Sequence, residues 1–299
     1  MDTINKQKII VILGPTASGK SALAVKLAKK FNGEVISADS RQVYKGLDLG
    51  TGKITKQEMR GIRHHLLDVA PPPKQFDVAQ YQKLTHHAIA GILKRGKLPI
   101  VCGGTGLYIS AIVDNPSYPS ATPDKRLRAQ LEHKSPATLF AMLKKLDPAR
   151  AQIIDRNNPR RLIRAIEIAK AHGPAEALKK NPLYDTLLIG IRVPPEKLKT
   201  ALRARLLKRM RQGMVQEVKR LHTKGVSWKR MEELGLEYRY GARYLRGELS
   251  KQELIETLTA KIWQYSRRQM TWFRKMPNIR WCTNKQQAMR GVRMFTARY

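Results

Sequence analysis

The run Lys8-Ile9-Ile10-Val11-Ile12-Leu13-Gly14-Pro15-Thr16-Ala17-Ser18-Gly19-Lys20-Ser21 decides how the rest of the chain is read. Its first part is an apolar stretch without polar alternation, the pattern of a strand covered on both faces. Gly14 to Ser21 match G-x4-G-K-[ST] in full. From Ser21 to Lys30, Leu23, Leu27 and Ala28 recur at helical spacing. Strand, glycine loop and helix in that order give the motif its physical meaning. The glycines let consecutive N–H groups curve around an anion, and the helix N-terminus adds favourable partial charge. Lys20 can neutralise a diphosphate or triphosphate, and the Ser21 hydroxyl suits Mg²⁺. The motif specifies phosphate without saying which phosphate ester.

Outward from this loop, strand and helix alternate. Glu34-Val35-Ile36-Ser37-Ala38 reads as a second buried strand ending at Asp39. A helix is expected from about Val78 to Arg95, with Asp77 as N-cap and Gly96 as C-cap. Leu98-Pro99-Ile100-Val101-Cys102 is another short strand, closed by Gly103-Gly104. The fold class is α/β, with a parallel, doubly wound sheet of the P-loop NTPase kind. Near Asp114 the texture changes. Asn115 to Ser120 read as a loop, and Arg- and Ala-rich helices are expected over 123–133, 135–145 and 158–172. Leu187-Leu188-Ile189-Gly190-Ile191 then looks like a strand returning to the sheet. The expected division is a catalytic core of residues 1–114 and 186–299 with a helical insertion over 115–185. The remainder reads as helical. It includes a helix opened by the capping box Ser250-Lys251-Gln252-Glu253 and striped by Leu254, Leu258, Ile262 and Tyr265.

Composition narrows the partners. The 299 residues carry 58 Lys and Arg against 23 Asp and Glu, a formal net charge of +35, and 42% are hydrophobic, enough for a large core. Such an excess is the footprint of a polyanion binder, most often nucleic acid. No apolar run approaches the ~20 residues of a membrane span, and the N-terminal apolar stretch leads into the glycine loop rather than a cleavage site. Cys102 and Cys282 are too few for a disulfide framework or a zinc ribbon. A cytoplasmic monomer is expected.

Two more constellations sit at strand ends, where open α/β sheets bind ligands. Asp39-Ser40-Arg41-Gln42-Val43-Tyr44 places a carboxylate opposite the phosphate loop, where it serves either as a base toward an acceptor or as the cap of a following helix. Gly103-Gly104-Thr105-Gly106-Leu107-Tyr108 is a second glycine turn, in which Thr105 offers a hydroxyl. Elsewhere the signals are weaker. The pairs His64-His65 and His86-His87 lack metal-ligand spacing. Trp263, Trp272, Phe273 and Trp281 read as core rather than as base-stacking groups. Arg267 and Arg268 fit a solvated helix face and phosphate contacts equally well.

Taken in order, GPTASGKS at 14–21, DSRQVY at 39–44, GLDLGTGK at 46–53 and GGTGLY at 103–108 resemble the tRNA dimethylallyltransferases. LRAQLE at 127–132, NPRRLIRAIE at 158–167 and RRQMTWFRK with IRW at 267–281 extend the resemblance over nearly the whole chain. It implies transfer of a dimethylallyl group from dimethylallyl diphosphate to N6 of adenosine 37 in the anticodon loop of tRNAs reading codons that begin with U. It also implies that residues 14–21 hold the donor diphosphate with Mg²⁺ at Ser21, that Asp39 is the general base and that Thr105 positions the adenine amine. Arg205 falls where the family keeps an arginine near the diphosphate. Asp39, Ser40, Arg41, Gln42, Thr105, Arg128 and the stretch Arg160, Arg161, Leu162, Ile163 and Arg164 match positions that touch tRNA. The chain departs from the family at Arg160, where a glutamine is usual, at Glu237-Tyr238-Arg239, where a glycine-tyrosine pair is usual, and after His172, where a Ser-rich turn is missing. A P-loop small-molecule kinase and a non-catalytic, nucleotide-gated RNA binder are the competing readings.

Overall fold

Alternate residues of Lys8–Leu13 bury themselves on opposite sides of one sheet. Ile9, Val11 and Leu13 join one apolar cluster, Ile10 and Ile12 another, and none of the five is exposed. The unbroken apolar run therefore reflects two covered faces. This strand is β1. With β2 (Gly33–Ala38), β3 (His64–His65), β4 (Leu98–Gly103), β5 (Asp185–Ile191) and β6 (Arg280–Cys282) it forms an all-parallel sheet in the order β3-β2-β4-β1-β5-β6. The architecture is seen in a computed structural model that describes residues 6–119, 124–174 and 179–297.

The helices alternate with the strands. α1 (Lys20–Lys30) follows β1, and α2 (Lys56–Met59) precedes β3. α3 (Val78–Lys94) leads to β4, and α4 (Gly106–Val113) leaves it. α5 (Lys125–Glu132), α6 (Pro136–Leu146), α7 (Pro148–Ile153) and α8 (Pro159–His172) come before β5. α9 (Pro195–Arg211), α10 (Met214–Thr223), α11 (Trp228–Leu234), α12 (Leu236–Leu245) and α13 (Lys251–Phe273) lie between β5 and β6, and α14 (Lys285–Thr296) ends the chain. Leu23, Leu27, Val292 and Phe295 cover the face carrying Ile10 and Ile12, whereas Ile89, Ile109, Val218, Tyr238 and Phe273 cover the other. Among the described residues, no helix is long and apolar enough to cross a membrane.

Two compact units result. One comprises residues up to Asn115 and from Pro182 onward, the other Pro116–Asn181. Asn115 and residues 182–185 go with the first unit because their partners do. Asn115 Oδ1 accepts from Gln82 Nε2 at 3.0 Å, Lys6 Nζ donates to the Pro182 carbonyl at 2.7 Å, and the Tyr184 hydroxyl lies 2.8 Å from His86 Nδ1. The second unit has its own core of Leu131, Leu139, Leu143, Leu162 and Ile166.

Local signals set most boundaries. Asp77 and Ser250 cap α3 and α13 in reciprocal capping boxes. α3 stops one residue earlier than expected: Arg95 is its C-cap, and Gly96, at φ +66°, turns the chain away. The region after β5 is not wholly helical, since Arg280–Cys282 pairs with Ile189–Ile191. β3 makes Leu98–Gly103 the fourth strand rather than the third, and α7 is an additional short helix. Ser120 of the expected loop, position 123 of the expected helix and residues 175–178 after His172 lie outside the described residues.

Candidate active site

Strand register builds the site. Gly103 of β4 stands opposite Leu13 of β1 on one side and Ala38 of β2 on the other. The next residues of the three chains, Gly14, Asp39 and Gly104, therefore emerge together at the carboxyl edge of the sheet. The phosphate loop, the DSRQ segment and the second glycine turn meet there because three adjacent strands end in step.

The loop has the form of an anion cradle. Ala17 adopts the left-handed conformation (φ +64°), costly for a residue with a Cβ. Ser18 Oγ is buried with no hydrogen-bond partner among the described residues. Lys20 Nζ folds back to donate to the Pro15 carbonyl at 3.0 Å. Burial pulls the Lys20 pKa down and Arg205 adds to this, while Asp39 and Cys102 oppose it. Burial also pushes the Cys102 thiol up to about 12. An anion entering here would relieve the strain of a desolvated ammonium. A cleft of about 460 Å³ opens beside the cradle, lined by Lys20, Ser21, Lys26, Gly52, Arg60 and Arg205. Among the described residues, no group of three or more His, Cys, Asp or Glu is placed to hold a metal. What the cleft offers a divalent cation is the Ser21 hydroxyl beside the cradle. That donor suits Mg²⁺, which keeps several waters and takes further ligands from phosphate.

Asp39 caps a turn, not a helix. Its Oδ1 accepts from the amides of Arg41 at 2.9 Å and Gln42 at 3.4 Å. Thr105 is the N-cap of α4 but makes no side-chain capping bond. Its Oγ1 instead accepts from the Ser40 amide at 3.0 Å and lies 3.4 Å from the Ser40 hydroxyl, so DSRQ and the glycine turn are joined. Burial and Asp39 push the Tyr265 phenol up to about 12. Gln42 Nε2 donates to the Gly52 carbonyl at 3.4 Å, and Arg41 Nη2 reaches the Glu233 carbonyl at 3.5 Å.

The GLDLGTGK segment forms the far wall, and residues distant in sequence hold it. The Glu217 carboxylate accepts from the amides of Asp48, Leu49 and Gly50 at 2.8–3.1 Å and from the Tyr238 hydroxyl at 2.8 Å. Arg209 donates to the Gly50 carbonyl at 2.7 Å and pairs with Glu237 at 3.2 Å. Burial pushes the Glu237 carboxyl up while Arg209 opposes it. Glu237-Tyr238, the departure from the family pattern, is thus structural here. Arg205 Nη2 donates to the Gly52 carbonyl at 3.0 Å. Burial and Arg209 both disfavour its charge, with Glu237 and Asp39 offsetting them. Gly52 has φ +60°, and a Cβ there would run into the Arg205 guanidinium.

Gln269 on α13 is the residue sequence reasoning passed over. It is buried, its Oε1 accepts from the Thr16 amide at 3.0 Å, and its Nε2 donates to the Gly104 carbonyl at 2.8 Å. No local pattern announces it beyond its place in the RRQMTWFRK segment.

The helical unit requires corrections. Leu162 and Ile163 are buried in its core, so their side chains are not available to an RNA, because α8 turns them inward. Arg160 and Arg161 are exposed on the same helix. Arg128 and Arg164 are partly committed to the buried Glu167, Arg128 in two-pronged fashion at 2.6 and 2.9 Å and Arg164 at 3.4 Å. Trp272, expected in the core, is 36% exposed, whereas Phe273 is fully buried. The histidine pairs serve as hydrogen-bonding groups: His65 Nε2 meets Glu34 at 2.7 Å, and His86 bridges Tyr184 and Asn115.

Residues 42–276 match the family described as IPP transferase. A tRNA dimethylallyltransferase of Anoxybacillus flavithermus is 41% identical over 281 residues, covering 92% of this chain and 90% of its own. A tRNA dimethylallyltransferase 2 of Citrifermentans bemidjiense is 45% identical over 268 residues, covering 90% and 87%. Among solved structures, the full-length tRNA isopentenylpyrophosphate transferase of Bacillus halodurans superposes with a TM-score of 0.73 at 35% identity, covering 98% of this chain and 96% of the other. A eukaryotic dimethylallyltransferase captured acting on tRNA gives a TM-score of 0.80 at 30% identity, covering 97% of this chain and 77% of its own.

Proposed function

Because the chain belongs to the IPP transferases, the family of the tRNA dimethylallyltransferases, we propose that it joins the dimethylallyl group of dimethylallyl diphosphate to N6 of adenosine 37 in the anticodon loop of tRNAs reading codons that begin with U. The observation that carries this reading is the common edge of β1, β4 and β2, where an anion cradle, a hydroxyl and a carboxylate emerge side by side.

In the reaction the bond from the allylic carbon to the diphosphate oxygen breaks and the N6–carbon bond forms. Negative charge grows on the departing diphosphate. The amides of Ala17 and Gly19 in the loop, with Lys20 and Arg205, face that charge from fixed positions, an effect worth several kcal/mol in mutational series. Ser21 would hold Mg²⁺ together with diphosphate oxygens, and the bound ion would neutralise part of the same charge. The amine becomes acidic as it acquires the carbon, and Asp39 takes its proton, a contribution of about 10²–10⁴-fold. Thr105, anchored through Ser40, presents its oxygen toward the amine. A stacked adenine cannot enter such a site, so the base must leave its stack. Arg160 and Arg161, with Arg128 and Arg164, supply phosphate-directed charge on the helical unit. We propose in addition that the enzyme works as a monomer in the cytoplasm.

The test is to incubate the protein with labelled dimethylallyl diphosphate or labelled ATP, with and without bulk tRNA. Label entering tRNA from the allylic donor alone is the expected result. ATP-dependent phosphorylation of a small acceptor would replace this reading with the kinase one.

A further inference from the structure

Pro71, Pro72 and Pro73 carry no amide hydrogen, so the stretch they open has few donors of its own to offer its carbonyls. The Lys74 amide reaches back to the Pro71 carbonyl at 3.1 Å. The next two acceptors are met from α11 by Arg230, whose Nε donates to the Pro72 carbonyl and whose Nη2 donates to the Lys74 carbonyl, both at 2.8 Å. The same Nη2 donates to the Tyr44 hydroxyl at 3.0 Å, and Nη1 pairs with Glu233 at 3.0 Å. All three guanidinium nitrogens are thus engaged, and the side chain is only 11% exposed. A lysine, with one nitrogen on a flexible stem, could not reproduce this fork. No motif read from the sequence includes Arg230.

Tyr44 connects this fork to the site. It is buried, and it is the last residue of the DSRQVY segment that Asp39 opens. Its hydroxyl also accepts from the Phe76 amide at 3.1 Å, and its carbonyl accepts from Lys53 Nζ at 2.9 Å. Its own amide donates to the Arg41 carbonyl at 3.3 Å, and the Arg41 amide is the one that Asp39 Oδ1 holds at 2.9 Å. A continuous hydrogen-bonded path therefore runs from the proposed base through Arg41 and Tyr44 to Arg230. Arg41 Nη2 makes a second tie to α11 at the Glu233 carbonyl, 3.5 Å away. The six-residue segment is thereby fixed against α11 at two of its residues, 41 and 44.

We infer that Arg230 is a positioning residue for the transfer step, acting on Asp39 through Tyr44 rather than on donor or RNA. The inference rests on the proposed reaction, in which Asp39 takes a proton from the amine. Displacing a reacting group by about 1 Å costs up to about 10²-fold in rate, whereas the affinity for either substrate is spread over many contacts. The signature is a lower kcat at nearly constant KM, and a loss that depends on the Asp39 carboxylate being present. A residue that served stability alone would lower the Tm without that dependence.

Arg230→Gln and Tyr44→Phe, made singly, together and each in an Asp39→Asn background, test this with dimethylallyl diphosphate and tRNA. Each single variant should lower kcat about ten-fold, with both KM values within about three-fold of wild type. The two together should cost little more than either alone, because they cut the same path. In the Asp39→Asn background neither should slow the residual single-turnover rate further. Additive losses, an equal loss with and without the carboxylate, or a wild-type kcat in both single variants overturns the assignment. Tyr44→Phe keeps the ring and removes one oxygen, so the test stands even where Arg230→Gln fails to fold. Amide hydrogen exchange supplies a readout without turnover: the Arg41 and Gln42 amides should exchange about ten-fold faster in both variants while those of β1 and β4 keep their wild-type rates. Unaltered exchange at 41 and 42 counts against the path. Wild type that transfers no prenyl group would sink the proposed function instead, and the exchange rates would still decide whether Arg230 holds the Asp39 turn.

Discussion

Gln269 and Thr16 lie 253 positions apart in sequence, yet the Gln269 side-chain oxygen accepts the Thr16 amide at 3.0 Å. The nitrogen of the same amide group donates to the Gly104 carbonyl at 2.8 Å. One buried side chain thus fixes the spacing between the anion cradle and the turn that carries Thr105.

Gln269→Glu tests that spacing with little change in shape. The carboxylate still accepts from Thr16 but sets an oxygen against the Gly104 carbonyl, leaving two acceptors face to face. Expected are a kcat about ten-fold lower and a raised KM for dimethylallyl diphosphate, with a smaller change in the KM for RNA. Steady-state kinetics indistinguishable from wild type would remove Gln269 from the positioning machinery.

Asp39 both holds a turn and faces the acceptor, and two substitutions separate these roles. Asparagine retains an oxygen for the Arg41 and Gln42 amides but is no proton acceptor. Single-turnover transfer by Asp39→Asn should fall about 10²-fold or more, with RNA affinity within about three-fold of wild type. Asp39→Ala should lose that and some thermal stability as well. Full activity in Asp39→Asn would mean the proton leaves by another route.

Gly52→Ala places a methyl where the Arg205 guanidinium sits, at a backbone φ of +60°. Displacing Arg205 should raise the KM for the diphosphate donor about ten-fold while sparing RNA binding. Arg205→Ala should reproduce the effect, and a donor KM unaltered in both variants would take Arg205 out of the diphosphate site.

Glu34 sets an acid limit on stability. Burial opposes its ionisation, but hydrogen bonds from Arg95, His65 and Lys97 prevail and hold the carboxyl at about 2, below its ordinary 4.5. A depressed folded-state pKa stabilises the protein above the ordinary value, and that stability disappears as pH falls from about 4.5 toward 2. The contribution at neutral pH is at most about 3 kcal/mol. Glu34→Gln should lower the neutral-pH Tm by several degrees and flatten Tm against pH in this window; a profile as steep as wild type would contradict the assignment.

Arg160 and Arg161 are exposed on α8, whereas Arg164 is shared with Glu167. Replacing the first two by alanine should weaken tRNA binding and reduce the slope of log K against log salt by about one to two. Adding Arg164→Ala should also lower the Tm. An unchanged slope would put the RNA elsewhere.

The central strands were readable because both faces of β1 are covered, which leaves an uninterrupted apolar run, and because Asp77 and Ser250 cap their helices with local partners. β3 and β6 escaped notice because His64–His65 and Arg280–Cys282 are too short for any periodicity and carry polar residues at the sheet edges. The phosphate loop, Asp39 and Thr105 were legible as motifs at the ends of strands. Glu217, Arg209 and Gln269 were not, because each finds its partners across the fold: a glutamate in an amphipathic helix looks the same whether it faces water or three loop amides. Trp272 misled for the opposite reason, since its neighbour Phe273 is core and one residue of helical rotation separates the two environments.

The amides of Asp48, Leu49 and Gly50 converge on Glu217 much as those of a phosphate loop converge on a ligand. That nest is already occupied, by a tenant supplied from the protein's own chain. The glycine-rich segments at 14–21 and 46–53 therefore look alike on paper, yet the amides of the second are engaged by a carboxylate of the same chain. Only the first is left to recruit its negative charge from outside.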